Sequence, residues 1–462
     1  MSECPTARIK ELEALLLGAH EQLTKALARI SELERRLGLT SETSSKPPSS
    51  DGLKRANRTK SLRKKGLRKK GGQKGHKGTT LKASANPEHT VIHPVTECDG
   101  CKSCLKDVVS NDPIIRQVFD LPKINLEVTE HQAERKSCPH CQKTVQAKFP
   151  ADVKAPVQYG AGVKSLVAYL RYQHFIPEVR LKSICADIFG FSIATASIAK
   201  FGEELSEKLT GFIAAVKDYL LKAPVKHADE TGYRVIGVTG WLHSLSNGCA
   251  TWYETTVKRK RLLTELSGVL VHDGFKAYSK QLGILSALCN QHHLRELQAL
   301  IIIEKEPWAR SMRRFLLTAN KIKKAYNEIP ILIQQNCTAI FLRIVGHGIK
   351  YHESLPPLPK PKRGRIPLRI GHNLLLRFKN QTDATLRFIT NHLVPFTNNQ
   401  AEQDIRMAKL VQKISGGFRS TYGADIFCNI RSFLSTARKQ AWDIFQSIAN
   451  IFQNTATLWS FS

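Results

Sequence analysis

Three acidic residues stand where phosphate chemistry would need them. Asp229 lies in the run Val225-Lys226-His227-Ala228-Asp229-Glu230-Thr231-Gly232, Asp273 ends the apolar run Val269-Leu270-Val271-His272, and Glu402 lies in Pro395-Phe396-Thr397-Asn398-Asn399-Gln400-Ala401-Glu402-Gln403-Asp404-Ile405-Arg406. Three carboxylates suit a reaction in which two divalent cations, about 3.5 to 4 Å apart, straddle one scissile phosphate. Oxygen donors of this kind favour hard Mg2+ or Mn2+. A helix beginning after Asn399 places Glu402, Arg406, Lys409 and Lys413 on one face, and Met407, Leu410, Val411 and Ile414 on an apolar stripe beside it. One carboxylate then heads a basic ridge. The same spacing also fits an ordinary capping box, with Asn399 as N-cap and Glu402 as its partner.

A second constellation is made of cysteines. Cys98-Asp99-Gly100-Cys101 and Cys138-Pro139-His140-Cys141 are CxxC pairs, each able to supply two corners of a tetrahedral Zn2+ site. Paired, they predict a structural zinc ribbon, with free thiols as the alternative. Cys104 leaves the register open, because Cys101-Lys102-Ser103-Cys104 is also a CxxC. Between the pairs, Gln117 to Leu121 and Leu126 to His131 alternate as strands do.

The elements that must position the acids follow from periodicity. Val225 to Gly232 runs on into Tyr233 to Val238 as strand, and Trp241 to Ser246 joins Ala250 to Val257 through the hairpin signal Asn247-Gly248. A helix over Lys260 to Ser267 then precedes the strand that ends at Asp273. Three meandering strands, a helix and a further strand are the ordered parts of a ribonuclease H-like fold. Asp229 and Asp273 would be neighbours in its sheet, and a later helix would bring Glu402. Upstream, Tyr159 to Leu209 reads as helical; the two segments joined at Phe189-Gly190-Phe191 fit either a helix-turn-helix or a small bundle.

At the start of the chain, Ile9, Leu12, Leu16, Ala19, Leu23, Ala26, Ile30, Leu33 and Leu37 alternate by three and four, which predicts a coiled coil and self-association. A helix packed on its own domain is the alternative. Between Lys54 and Lys82 no acidic residue interrupts a basic run that includes Lys64, Lys65, Arg68, Lys69, Lys70, Lys74, His76 and Lys77. Such a run predicts strong, salt-dependent affinity for phosphates. The net charge of +31 over 462 residues agrees with a polyanionic partner, most simply DNA. The chain opens on no signal peptide and has no apolar run long enough to span a bilayer, so the expected location is the cytoplasm, at the bacterial nucleoid.

The quoted motifs, together with Leu288-Cys289-Asn290-Gln291-His292-His293-Leu294-Arg295-Glu296-Leu297 and Lys413-Ile414-Ser415-Gly416-Gly417-Phe418-Arg419-Ser420, resemble the transposases of the insertion sequence 66 family. The resemblance extends over nearly the whole chain, including Ser45-Lys46-Pro47-Pro48-Ser49-Ser50-Asp51 and Gly72-Gln73-Lys74-Gly75-His76. It implies that Asp229, Asp273 and Glu402 form a DDE triad holding two Mg2+ or Mn2+ ions. It also implies cleavage at terminal inverted repeats and transfer of the freed 3′-OH, with small accessory proteins of the same element as further partners. An inactive relic or repressor that binds element DNA, or a nuclease without strand transfer, would share much of this sequence. His292 and His293 are open between phosphate binding and packing, whereas Arg406 and Arg419 are expected at phosphates. The expected architecture is multidomain α/β: coiled coil over 1–40, basic DNA-binding linker over 41–90, zinc ribbon over 91–150 and a helical domain over 151–220. A ribonuclease H-like core follows over 221–303 and 392–462, interrupted by a helical insertion over 304–391 that contains the basic Lys360-Pro361-Lys362-Arg363-Gly364-Arg365.

Overall fold

The computed structural model describes residues 13–24, 26, 29, 33, 81–110, 112–122, 124–259, 266–279, 283–358 and 366–455. Most of the heptad seam, the basic residues Lys64 to Lys77, residues 260–265 of the helix expected over Lys260 to Ser267, and the basic stretch 360–365 lie outside these residues. The described residues 13–24 are helical and exposed, so the seam side chains Leu16 and Leu23 are not covered by the rest of the chain.

The cysteine region is built from two turns of the same form. Lys102 N donates to Cys98 O and Gln142 N to Cys138 O, at 3.0 and 2.8 Å, while Cys98 N and Cys138 N donate to Ser103 O and Lys143 O. Both turns close through a left-handed residue, Lys102 at φ 62° and Gln142 at φ 56°. The turn that spans Cys98 and Cys101 thus repeats the one that spans Cys138 and Cys141, and the backbone of Cys104 bridges to Glu97. Among the described residues here, β1 (Arg135–Ser137) and β2 (Thr144–Gln146) form strands, antiparallel around the second knuckle. The expected strands over 117–121 and 126–131 do not form among the described residues. Alternation sets which face a side chain takes but supplies no neighbouring backbone; Gln117 spends its amide on Ser84 N and O instead.

From residue 161 helices take over: α1 (Ala161–Ala168), extended by a π turn over Tyr169–Gln173, α2 (Glu178–Phe189), α3 (Thr195–Lys208) and α4 (Thr210–Lys222). Gly190, left-handed at φ 70°, ends α2 and turns the chain toward α3. Leu181, Cys185, Ile198, Leu205 and Val216 bury into one core with Ala228, Leu245 and Trp252 of the following strands. That core therefore runs across position 220.

The sheet has five strands, β3 (Val225–Val235), β4 (Val238–Ser246), β5 (Thr251–Thr256), β6 (Gly268–His272) and β7 (Ile284–Leu288), in the order β5-β4-β3-β6-β7. The first three are antiparallel, whereas β6 runs parallel to both β3 and β7. The first strand does not continue to Val238 as periodicity suggested. Ile236 and Gly237, both at positive φ, form a two-residue turn, and β4 begins beyond it. Beyond the short α5 (Lys276–Ser279) and β7 come α6 (Asn290–Ala299), a π turn over Leu300–Glu304, α7 (Pro307–Ala325), α8 (Ile331–Glu353), α9 (Ile370–Asn380) and α10 (Thr382–Thr390). The chain then closes with α11 (Asn399–Ser415), α12 (Thr421–Lys439) and α13 (Ile444–Phe452).

Strand alternation decides how these helices are shared between the two faces. Ala228, Leu245, Trp252 and Leu270 point to the core of α1 to α4. On the other face, Val269, Val271 and Ala287 meet residues of α6 to α10, whereas Tyr233, Leu242 and Tyr253 meet Ile405, Ala408 and Val411 of α11. That second face thus carries two separate apolar clusters. A seam lies between them, over the junction of β3 and β6.

Candidate active site

The two aspartates sit at this seam. β3 and β6 pair through His227↔Val271, and two residues further along each chain stand Asp229 and Asp273. Asp273 is exposed, just past the carboxyl end of β6, where parallel strands commonly present ligand-binding groups. Its Oδ1 accepts from Phe275 N at 2.9 Å, which orients the loop. Asp229 is half-buried; Oδ1 accepts from Glu230 N at 2.9 Å. Burial, followed by the charges of Asp273 and Glu230, pushes the Asp229 carboxyl up to about 7, with Lys409 acting in the opposite direction. Glu230, on the reverse face, is satisfied differently. It accepts from Arg259 Nη2 and Tyr278 OH, each at 2.8 Å, and the Arg259 guanidinium stacks on Phe275 and Trp241.

Glu402 arrives from the other side of the seam. Val394 and Phe396 belong to the cluster of α6 to α10, Ile405 and Ala408 to that of α11, so the chain crosses the seam between them. Asn398 fixes the crossing. Completely buried, it donates Nδ2 to Ala228 O at 2.8 Å, accepts at Oδ1 from His227 Nδ1 at 2.8 Å, and gives its backbone N–H to Cys289 Sγ at 3.1 Å. Because the carbonyl of Ala228 can only accept, the Asn398 oxygen must face His227, whose Nδ1 then carries the proton. Asn398 was not among the residues singled out from the sequence, although it stands inside the motif that supplied Glu402.

The capping-box alternative does not describe this helix start. Asn398, not Asn399, is the N-cap, and no side chain caps the first turn. The Glu402 carboxylate instead faces Cys289 Sγ at 4.0 Å and His292 Nδ1 at 3.8 Å. Of the two histidines, His293 is buried against Phe378 and bonds Asn290, so it packs. The apolar stripe also differs from expectation. Ala401, Ile405, Ala408 and Val411 are buried, whereas Leu410 and Ile414 remain 40% exposed, because small alanines let the helix lie close on the sheet. Arg406, Lys409 and Lys413 are exposed along one ridge, and Arg419 is exposed after it.

Two further contacts hold α11 in place. Asp404 pairs with Lys439 at 2.9 Å, both largely buried, and Lys439 also donates to the carbonyls of Asn247 and Ala250. At the far end Gly416 turns out of the helix at φ 75°, and a Cβ on Gly417 would meet Arg234 O at 2.6 Å. That approach lets Phe418 N donate to Arg234 O at 2.8 Å, so the Gly416-Gly417-Phe418 segment runs beside the end of β3.

The donor sets differ in chemistry. Asp229 and Asp273 offer only oxygen, and their mutual repulsion is what a hard divalent cation would relieve. In the knuckles, thiol pKa values fall: Cys101 is lowered to about 7 by hydrogen bonds from Ser103, and Cys138 is lowered by the backbone N–H groups of Cys141 and His140. Thiolates stabilised in this way suit zinc. The four sulfurs are not gathered together: among the described residues, Cys289, His292 and Glu402 are the group whose ligand atoms lie within 4.8 Å of one another.

Comparison with known families agrees with this layout. Residues 156–426, more than half of the chain, match the family described as Transposase IS66 family. The chain belongs to the IS66 transposase family. Residues 96–142 match the zinc-finger binding domain of transposase IS66, a span that includes both knuckles, and residues 3–82 match a family of unknown function. No curated protein matches the chain. The transposase is thus a DNA-processing enzyme with a zinc-finger domain, and among the described residues no helix is long and apolar enough to cross a membrane.

Proposed function

We propose that this transposase cleaves DNA at the ends of its element and joins the freed 3′-OH to target DNA, with Asp229, Asp273 and Glu402 as the metal-holding triad. The observation that carries the proposal is the seam. Neighbouring parallel strands present the two aspartates there, and Asn398 locks onto the same strand the helix that bears Glu402. The five-stranded sheet, with three antiparallel strands followed by two parallel ones, is read as a ribonuclease H-like core. Two Mg2+ or Mn2+ ions held there would activate the attacking oxygen and stabilise the leaving 3′ oxygen. Asp229 must give up its proton to serve as a ligand, and the nearby Lys409 favours that loss. Arg406, Lys409, Lys413 and Arg419 would lead the phosphate backbone toward the acids, and Lys64, Lys65, Arg68, Lys69, Lys70, Lys74, His76 and Lys77 would add affinity independent of sequence. In the zinc finger, Cys98, Cys101, Cys138 and Cys141 would hold Zn2+. The exposed leucines of the N-terminal helix would pair two chains, so that two DNA ends are held together.

The test uses a labelled duplex carrying the element's terminal repeat, incubated with purified protein and Mg2+. Nicking at the repeat boundary that disappears in Glu402→Gln, with DNA binding retained, is the expected result. Binding without nicking in Mg2+ and Mn2+, with neighbouring accessory proteins added, would instead make the protein a DNA-binding relic.

A further inference from the structure

Glu402 keeps company that a Mg2+ ligand does not need. Cys289 directly follows β7, and its N–H donates to His272 O at 2.9 Å, next to Asp273. His292 stands in the first turn of α6, with its N–H on Cys289 O at 3.2 Å, so the Cys-x-x-His segment is folded back on itself. Sγ and Nδ1 both approach the same oxygen, Glu402 Oε1, at 4.0 and 3.8 Å. In a tetrahedral zinc site with bonds of about 2.0 to 2.3 Å, ligand atoms are separated by roughly 3.3 to 3.8 Å; the three ligand atoms here already lie within 4.8 Å of one another. Among the described residues, the buried Nδ1 of His292 has no hydrogen-bond partner. Asn398 N already donates to the sulfur at 3.1 Å, the kind of outer hydrogen bond that steadies a metal-bound thiolate.

We propose that Cys289, His292 and Glu402 form a separate site for a thiophilic divalent ion such as Zn2+, whose occupation engages Glu402 and inhibits the Mg2+-dependent reaction. A thiolate, an imidazole and a carboxylate together select zinc over magnesium. Binding releases the Cys289 thiol proton to solvent, and the two negative ligands then balance the charge of the ion. Zinc bridging Glu402 to Cys289 and His292 would compete with any ion shared between Glu402 and the aspartates. Among the described residues, the carboxylates of Asp229, Asp273 and Glu402 do not themselves form a close group, in keeping with a Glu402 held at a different station.

Only the inhibitory consequence rests on the triad proposed above; zinc binding can be measured without it. The full chain is dialysed against buffered free Zn2+, and bound zinc is counted for the wild type, Cys289→Ser and His292→Ala, all of which keep the zinc finger. The wild type should hold one equivalent more than either variant, and equal counts in all three would overturn the site. Zinc inhibition of Mg2+-supported nicking is then titrated, each variant against its own zinc-free rate. The half-inhibiting zinc concentration should rise about 10-fold or more in both variants. Unchanged inhibition despite lost binding would remove the regulatory role. If no nicking is seen at all, the zinc count still decides whether the site exists, and the failure then belongs to the triad alone.

Discussion

Replacing Asp229 by Asn should stabilise the protein while abolishing its reaction, and the gain should depend on pH. In the folded chain the Asp229 carboxyl is raised from 3.8 to about 7, first by burial and then by Asp273 and Glu230. A raised carboxyl binds its proton more tightly folded than unfolded, so wild-type stability falls as pH climbs through this interval and is level above it. Each tenfold change in proton affinity is worth about 1.4 kcal/mol, so the ionised Asp229 costs the metal-free fold about 4 kcal/mol. Asn keeps the shape and carries no charge. Urea unfolding of wild type and Asp229→Asn, followed by tryptophan fluorescence in chelator between pH 4 and pH 9, should show similar stability near pH 4. The variant should pull ahead through pH 7, by about 4 kcal/mol at most. Adding Mg2+ should stabilise only the wild type and narrow the gap, because the ion takes over the work of relieving the repulsion. A difference that is flat with pH, or a wild type that gains stability between pH 4 and pH 7 relative to the variant, would refute the assignment of Asp229 as a strained ligand.

Two other substitutions probe how the seam is held, and a third probes the basic ridge. Asn398→Ala leaves Ala228 O and the His227 ring unpaired in the interior, and about 2 to 5 kcal/mol should be lost in the same unfolding assay. Lys439→Met strands the buried Asp404 carboxylate and should cost about 3 to 5 kcal/mol; adding Asp404→Leu should recover most of it. Arg406→Ala, on the exposed ridge, should weaken DNA binding uniformly across sequences. Its log affinity against log salt should lose about 1 from the slope, with no change in unfolding.

Residue types and local periodicity alone carried a good part of this protein. The alternation that runs through Val225 to Val235 and the apolar run into Asp273 located the strands, because a half-buried strand must repeat every two residues. The helix bearing Glu402 was legible from its basic ridge, and the CxxC pairs from ligand spacing. Gly190 ended its helix as glycines do. What periodicity could not supply was partnership. The segments 117–121 and 126–131 alternate correctly but join no strand ladder among the described residues, since a strand also needs a neighbour's backbone, and that neighbour is nonlocal. Ile236 and Gly237 turn where the pattern suggested continuation, because pairing with β4 outweighs the reluctance of a β-branched residue to take positive φ. Asn398 and Asp404 carry no local signal of their role. Only contacts with Ala228, Cys289 and Lys439, all distant in sequence, make them the pins of the seam. The sequence by itself determined which groups can bind metal and phosphate, since that is fixed by covalent chemistry. Tertiary structure alone decided that Cys289 and His292, rather than a cap, face Glu402, because a side chain's neighbours across a seam depend on how two separate apolar clusters divide one face of a sheet.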